Sequence, residues 1–166
     1  MRKNIIIISL LLAAVALCSV FAVSCNKKPE KELVFTDIAG AVAGAVPENE
    51  KFSERDSSYP FNFLGVSADE FANHTVMQHT SGDLIDEYGI IEAKDANELD
   101  KAKKFADDYL AFYRDTLWDE RYKQDQYPKL RDAEVRTVGD RFVVYVIMDE
   151  SSKSLVFSAL DTLLNP

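Results

Sequence analysis

The stretch AEVRTVGDRFVVYVIM, residues 133–148, decides the fold of this chain. Its second half, Arg141–Met148, is apolar at every position after the arginine, so a strand there has no face suited to water and should lie in the middle of a sheet. Gly139 and Asp140 separate it from a first strand, Ala133–Val138, and glycine tolerates the positive φ that a two-residue hairpin loop needs. The stretch therefore predicts a β-hairpin whose second strand is the central strand of the sheet.

A long amphipathic helix is predicted upstream of this hairpin. Apolar and aromatic residues recur at spacings of three or four over Leu99–Leu117, while lysine, arginine and aspartate occupy the opposite side. Asp95 and Glu98 have the spacing of a helix cap at its start. The apolar face is wide, so we expect this helix to cover a sheet.

The remaining folded segments give weaker signals. We expect a helix at Ile38–Val46 that packs on the domain, the alternative being a surface helix that dimerises or touches the bilayer. Residues 47–60 are polar and irregular, which predicts a loop. Strands are predicted at His74–Thr80, as a sheet edge, and at Tyr88–Ala93.

These elements give the order β-α-β-β-α, in which the last helix has Ser151 or Ser152 as its cap. That order indicates an α+β fold, with a small antiparallel sheet of three to four strands covered by helices on one face. The predicted domain covers residues 34–166.

Residues 1–25 have the organisation of a bacterial export signal. A basic start is followed by a nearly continuous apolar run over residues 5–23, and Ser24 precedes Cys25. The quartet that ends at Cys25, Ala-Val-Ser-Cys, resembles a lipobox, although it has alanine where leucine is usual and a bulky valine after it. We therefore predict cleavage between Ser24 and Cys25 and lipidation of the cysteine, where two acyl chains such as palmitate hold a protein stably in a bilayer.

This interpretation divides the chain into a lipoprotein signal peptide at residues 1–24, a lipidated cysteine with a polar tether at residues 25–33, and the domain. Two alternatives stay open. The apolar run is long enough to remain as an uncleaved transmembrane anchor, and ordinary cleavage would give a free secreted protein. The lipoprotein and transmembrane interpretations both attach the domain to the cell membrane, facing the extracellular or periplasmic side.

Charge and cysteine content argue against some classes of function. The chain has 28 acidic against 19 basic residues, a net charge of −9, and loss of the signal peptide makes the balance more negative. Phosphate contacts need clustered lysine and arginine, so nucleic acid is not an expected partner. Cys25 is the only cysteine that survives cleavage, so we expect neither a disulfide within the chain nor a thiol nucleophile.

His74 and His79 are the only histidines, and with Asp83, Asp86 and Glu87 nearby they form the one candidate metal site. Their spacing of five places the imidazoles on opposite faces of a strand, which argues against shared ligation. The sequence has no nucleophile elbow and no phosphate-binding glycine loop. We predict no catalytic residue, metal or cofactor, and keep a metal-dependent enzyme or accessory protein as the alternative.

Aromatic residues cluster around the end of the long helix, at Tyr109, Tyr113, Trp118, Tyr122 and Tyr127. Tyrosine and tryptophan are favoured at recognition surfaces because they combine a large contact area with a polar tip. We take Trp118, Tyr122 and Tyr127 as a candidate interaction patch. The alternative is that these are ordinary core and rim positions.

The region from the long helix through Tyr127-Pro128 to the glycine-containing hairpin and its aromatic-rich strand resembles a family of uncharacterised lipoproteins from clostridia and related Firmicutes. The resemblance covers roughly residues 34–166 and rests on structural features. It implies a single extracytoplasmic α+β domain of unknown function behind a lipid anchor, and it offers no catalytic residues to transfer.

Together these features predict a membrane-anchored extracytoplasmic lipoprotein that acts as a non-enzymatic binding or interaction module. The expected partner of this module is a protein or a small ligand. The alternatives are the metal-dependent protein using His74 and His79 with nearby carboxylates, and a structural envelope protein without a small ligand.

Overall fold

A five-stranded antiparallel sheet forms the centre of the structure, in the spatial order β1-β2-β3-β5-β4. The structure is a computed structural model and describes residues 32–56, 59–117 and 123–165. The strands are β1 Phe52–Glu54, β2 Asn73–His79, β3 Glu87–Glu92, β4 Glu134–Val138 and β5 Phe142–Ile147.

Helices pack on this sheet and connect its strands. They are α1 Phe35–Ala45, α2 Tyr59–Leu64, α3 Leu99–Phe112, α4 Tyr127–Arg131 and α5 Glu150–Leu164. Short 3-10 turns lie at Asn49–Lys51, Ala68–Glu70 and Ala96–Glu98, and one π turn continues α3 over Tyr113–Leu117.

The α+β class with an antiparallel sheet is confirmed. The predicted hairpin is strands β4 and β5, and Gly139 takes a φ of 61° in the turn between them. Val138 pairs with Phe142, so the loop has three residues rather than the predicted two. Strand β5 pairs with β3 on one side and β4 on the other, so it is an inner strand as its apolar sequence predicts. The long helix is α3, which is preceded by a 3-10 turn and continued by a π turn.

Several parts of the fold prediction were wrong. The sheet has five strands rather than three to four, because residues 47–60 are not a plain loop but contain β1 and the start of α2. Strand β2 is consequently not the edge over its whole length, since β1 pairs with its last three residues. A strand of three residues is too short to show alternation, so the sequence pattern does not reveal it.

The sheet is also covered by helices on both faces rather than one. On β5, Phe142, Val144 and Val146 pack into a core shared with α1 and α5. The alternate residues Val143, Tyr145 and Ile147 pack into a second core shared with α3. Successive side chains of a strand point to opposite faces, so a strand that is apolar throughout needs cover on both sides.

Helix α1 reaches the sheet through Ile38 and Val42, which are fully buried. Its glycines, Gly40 and Gly44, lie on the exposed side with open space around them. The helix therefore packs on the domain as expected, but through its β-branched residues and not through its glycine spacing.

The folded unit begins at Leu33. Within the described ranges, no helix is both long enough and apolar enough to cross a bilayer. The apolar run at residues 5–23, on which the signal-peptide and transmembrane interpretations depend, lies outside those ranges.

Candidate functional site

Four of the residues predicted to carry function lie outside the described residues: Ser24, Cys25, Trp118 and Tyr122. Tyr127, the third member of the candidate interaction patch, is the partly buried first residue of α4. The patch therefore stays a prediction. Two neighbouring aromatic residues, Tyr109 and Tyr113, pack in or against the core.

Tyr109 is fully buried in the core under α3, and Tyr113 packs against it with ring centroids 6.1 Å apart. The helical stripe alone does not distinguish these tyrosines from surface aromatics, since both kinds recur at the same spacing. For Tyr109, the ordinary core interpretation is the one that the structure shows.

The two histidines lie on opposite faces of β2. The His74 ring meets Phe61 edge-on, with centroids 4.7 Å apart, and Phe61 belongs to the core on the α3 side. The His79 ring meets Phe52, with centroids 5.3 Å apart, and Phe52 packs against the core on the α1 side. The imidazoles therefore do not share a site, and no group of three metal-ligating side chains occurs among the described residues.

The three acids near the histidines also diverge. Asp86 forms a hydrogen-bonded ion pair with Lys129, at 2.7 Å. Glu87 turns into the core under α3, and Asp83 is exposed. Each carboxylate thus has its own surroundings, and the oxygen-rich cluster that the sequence suggested does not assemble.

Glu87 is instead the centre of a buried polar network. It is completely inaccessible to solvent. Its Oε1 accepts hydrogen bonds from the hydroxyls of Tyr109 and Tyr145, both at 2.9 Å, and Arg55 Nη1 donates to Oε2 at 2.9 Å. Buried charges are tolerated when they are paired and hydrogen-bonded in this way.

The environment shifts the titration of each group. Burial raises the pKa of the Glu87 carboxyl, while the Arg55 guanidinium and the two tyrosine hydroxyls oppose that rise. Burial, with the Glu87 charge beside them, holds the pKa values of Tyr109 and Tyr145 well above the ordinary tyrosine value. Both hydroxyls therefore keep their protons and act as donors to the carboxylate.

Gly89 makes room for this network. It faces Tyr145 across the β3–β5 pair. A Cβ atom on residue 89 would overlap the ring carbons Cε1 and Cζ of Tyr145 and lie 2.7 Å from its hydroxyl oxygen. The Tyr145 ring thus crosses directly over the bare backbone of Gly89 to reach Glu87.

The sequence reasoning grouped Glu87 with candidate metal ligands and did not predict this network. One signal was present, because a glycine inside a strand marks a close approach of another group. Gly89 lies two residues after Glu87 in the same strand and therefore on the same face. The glycine thus indicates a crowded site but not the partner that fills it.

Arg55 connects the network to the sheet edge. It follows the last residue of β1, and its guanidinium carbon lies 3.4 Å from the ring centre of Tyr59 in α2. Its side chain is 19% exposed, in contrast to the fully enclosed Glu87. The network therefore fixes β1 and α2 to the inner strand β3, and its carboxylate has no open path to a substrate.

The opposite face of the sheet carries an open groove, which we call the α1–β2 groove. It has a volume of about 340 Å³. Its wall and floor are apolar or aromatic side chains from α1, β2 and β3: Phe35, Ala39, Ala43, Met77, Tyr88 and Ile90. Because α1 presents alanines on this side, it leaves space above the outer part of the sheet.

Polar residues border the same groove: Asn49, Glu54, His74 and Thr75. Of these, His74 directs its ring to the other face of the sheet, against Phe61. The Tyr88 hydroxyl donates to Asn49 Oδ1 at 3.0 Å, and burial raises the pKa of Tyr88. The Thr75 hydroxyl donates to a carboxylate oxygen of Glu54 at 3.3 Å. No lysine or arginine of the described ranges lines the groove.

A second, smaller hollow of about 280 Å³ lies between α2 and α3. Its charged rim is occupied by ion pairs, Lys101 with Glu70 at 2.9 Å and Lys104 with Asp108 at 2.5 Å. The α1–β2 groove is larger, and among the described residues no ion pair occupies its rim, so it is the better candidate site.

Comparison of the chain with protein-family models, with curated proteins and with solved structures found no match. The resemblance to clostridial lipoproteins stays a prediction. A fold alone does not determine function, so the function has to be argued from the site.

Proposed function

We propose that this chain is a membrane-anchored extracytoplasmic lipoprotein and that its domain is a non-enzymatic binding module. The ligand site is the α1–β2 groove, and its occupant is a small molecule with an apolar body. The observation that carries the proposal is the groove itself, an open apolar hollow of about 340 Å³ over the sheet. Small-molecule sites have volumes of roughly 300–1,000 Å³ and apolar linings with a few polar groups.

The disposition of the acids supports binding over acid–base chemistry. Glu87 is enclosed and held by Arg55 and two tyrosines. Glu92 is 4% exposed, forms an ion pair with Arg141 and accepts a hydrogen bond from Asn73. A general acid or base has to come within hydrogen-bond reach of its substrate. These two carboxylates instead form hydrogen bonds and ion pairs within the fold.

The chain order supports the anchor. The predicted lipid site, Cys25, is followed by a short polar segment, and the folded unit begins at Leu33. An anchored domain needs only such a tether to stay at the membrane surface. The groove wall begins two residues further on, at Phe35.

Mass analysis of the protein from membrane fractions tests the anchor. We expect a mature N-terminus at Cys25 that carries lipid, and its loss in Cys25→Ala. An intact, unmodified N-terminus in the wild type would instead support the transmembrane alternative, and release of the unlipidated wild type into the medium would support secretion.

Methyl NMR of the full chain in lipid nanodiscs tests the groove. Of the three methionines, Met77 lines the groove, Met148 is 2% exposed in the core, and Met1 belongs to the predicted signal peptide. Titration with octan-1-ol, a neutral apolar probe, should shift the Met77 methyl signal saturably and leave Met148 unchanged. Met148 therefore serves as an internal control for the integrity of the core.

Variants of α1 test whether octan-1-ol binds in the α1–β2 groove. Ala43→Leu places a larger side chain in the groove and should weaken octan-1-ol binding at least about tenfold, by excluding the probe. Gly40→Ala, on the exposed side of the same helix with nothing within 4 Å of the new methyl group, should leave binding unchanged. Equal binding in both variants, or no saturable shift of Met77 in the wild type, would contradict the proposal.

A further inference from the structure

We infer that the α1–β2 groove selects a cationic ligand, an apolar amine, and that the Glu54 carboxylate recognises its ammonium group. This inference rests on the proposed function and specifies the ligand class of the same site. It follows from the position of Glu54, from the groups around its carboxylate, and from the direction in which the neighbouring Arg55 side chain points.

Glu54 is the last residue of β1 and borders the groove beside Thr75 of β2. Its side chain is exposed and accepts a hydrogen bond from the Thr75 hydroxyl at 3.3 Å. An ionised carboxylate offers about four acceptor positions on its two oxygens. The contact with Thr75 orients the group and leaves capacity for an ammonium donor.

The neighbouring cation is directed away from Glu54. Successive side chains of an extended chain face opposite sides, and the guanidinium of Arg55 goes to the α3 side, where it binds Glu87 at 2.9 Å. Among the described residues, Glu54 forms no ion pair with lysine or arginine. The buried network thus leaves the carboxylate at the groove without a compensating charge.

The other groups around the groove do not reverse this charge. Asn49 and Thr75 are neutral, and the imidazole of the bordering His74 packs against Phe61 on the α3 face instead of entering the groove. The chain as a whole has a net charge of −9, which adds a weak long-range preference for cations. An amphiphile with a carboxylate head would meet repulsion at the same position.

Three ligands with the same eight-carbon body separate the two contributions: octylamine, octan-1-ol and octanoate. Each is titrated into the full chain in lipid nanodiscs, with the Met77 methyl signal as the readout and Met148 as the control. At low ionic strength we expect octylamine to bind about three- to tenfold more tightly than octan-1-ol, and octanoate to bind more weakly than the alcohol. The amine preference should shrink in high salt.

Two glutamate variants identify the group responsible. Glu54→Gln should reduce the ratio of octylamine to octanoate affinity to within about twofold, while octan-1-ol binds as before. Glu50→Gln removes the same charge from an exposed residue that does not line the groove, and it should retain the wild-type ratio.

The outcomes separate this inference from the proposal on which it rests. If octan-1-ol binds and Ala43→Leu blocks it, but the three ligands bind equally or Glu54→Gln leaves the ratio intact, the cationic ligand class is wrong and the groove remains a binding site. If no ligand shifts Met77 in the wild type, the groove does not bind and both statements fall.

Discussion

Glu87 shows most clearly how a single residue constrains this structure. A carboxylate with no solvent exposure is stable only while its partners remain, and among the described residues Arg55 is the one cation that pairs with it. Arg55→Ala leaves the charge buried and unpaired, so we expect it to lower the free energy of unfolding by about 3–5 kcal/mol at pH 7. Urea unfolding measures this change.

A matched variant controls for the loss of an arginine. Arg131 forms an ion pair with Asp132, and both side chains are at least half exposed. Arg131→Ala should lower the free energy of unfolding far less than Arg55→Ala, because exposed ion pairs contribute little to stability. Similar losses of unfolding free energy in the two variants would show that the Glu87 network does not fix β1 and α2 to β3.

The same network predicts a pH dependence. Burial raises the folded pKa of Glu87 above its unfolded value, near 4.5. The contribution of such a group is therefore fully present below the unfolded pKa and is lost as the pH rises through the folded pKa. Arg55 opposes the rise, so its removal raises the folded pKa further. The cost of Arg55→Ala should grow between about pH 5 and pH 7; a cost that falls over this interval would contradict the assignment.

Gly89 gives a second prediction at the level of one residue. A methyl group there would overlap the Tyr145 ring and displace its hydroxyl from Glu87. We expect Gly89→Ala to destabilise the protein by about 1–3 kcal/mol, as overpacking does. Gly40→Ala, where space is open, should instead be neutral or stabilising by up to about 1 kcal/mol. Equal effects in thermal or urea unfolding would contradict the close approach.

Among the secondary-structure elements, α5 depends on one capping residue. The sequence suggested Ser151 or Ser152, but Asp149 is the N-cap, and its carboxylate accepts hydrogen bonds from the backbone N–H of Ser152 and from both serine hydroxyls. These contacts lower the pKa of Asp149 to about 2. All three positions carry good capping residues, so only the geometry of the chain after β5 decides between them.

Asp149→Ala should lower the free energy of unfolding by about 1 kcal/mol, and Asp149→Asn should cost less because asparagine also caps. A lowered folded pKa contributes stability that is present above the unfolded pKa, near 3.8, and is lost as the pH falls towards about 2. Urea unfolding between pH 2 and pH 6 should therefore show that Asp149→Asn loses less stability on acidification than the wild type. Equal acid sensitivity would contradict the capping role.

The elements differ in how far their sequences determine them. Strand β5 has a continuous apolar run and helix α3 has a long periodic pattern, and both were predicted. Strand β1 has only three residues and is held by contacts that no local pattern encodes, namely its ladder to β2 and the packing of Phe52 against Tyr88 and His79. The second covered face was implied by β5, which is apolar on both faces, but the apolar stripes of the helices do not indicate which face each of them covers.

For the whole molecule, the candidate site arises from packing between distant segments. The groove forms where α1, at the start of the domain, passes β2 and leaves alanines above it. The sequence indicates that Ala39 and Ala43 lie in a helix, but not which strand they face. The histidines, the acids and the aromatic cluster were visible as residue types, whereas the groove depends on relative placement and could not be predicted.

The placement of charge also belongs to the whole molecule. The Glu54-Arg55 dipeptide divides its two charges between the two faces of the sheet. One face thereby gains a neutralised buried network and the other an uncompensated carboxylate beside an apolar groove. This division links the stability of the edge strand to the chemistry of the candidate site.

The most direct test of the central claim is the response of the Met77 methyl signal to octan-1-ol in the full chain. The account predicts a saturable shift of Met77, an unchanged Met148, and loss of the shift in Ala43→Leu but not in Gly40→Ala. A Met77 signal that does not respond in the wild type, or that responds equally in both variants, would contradict it.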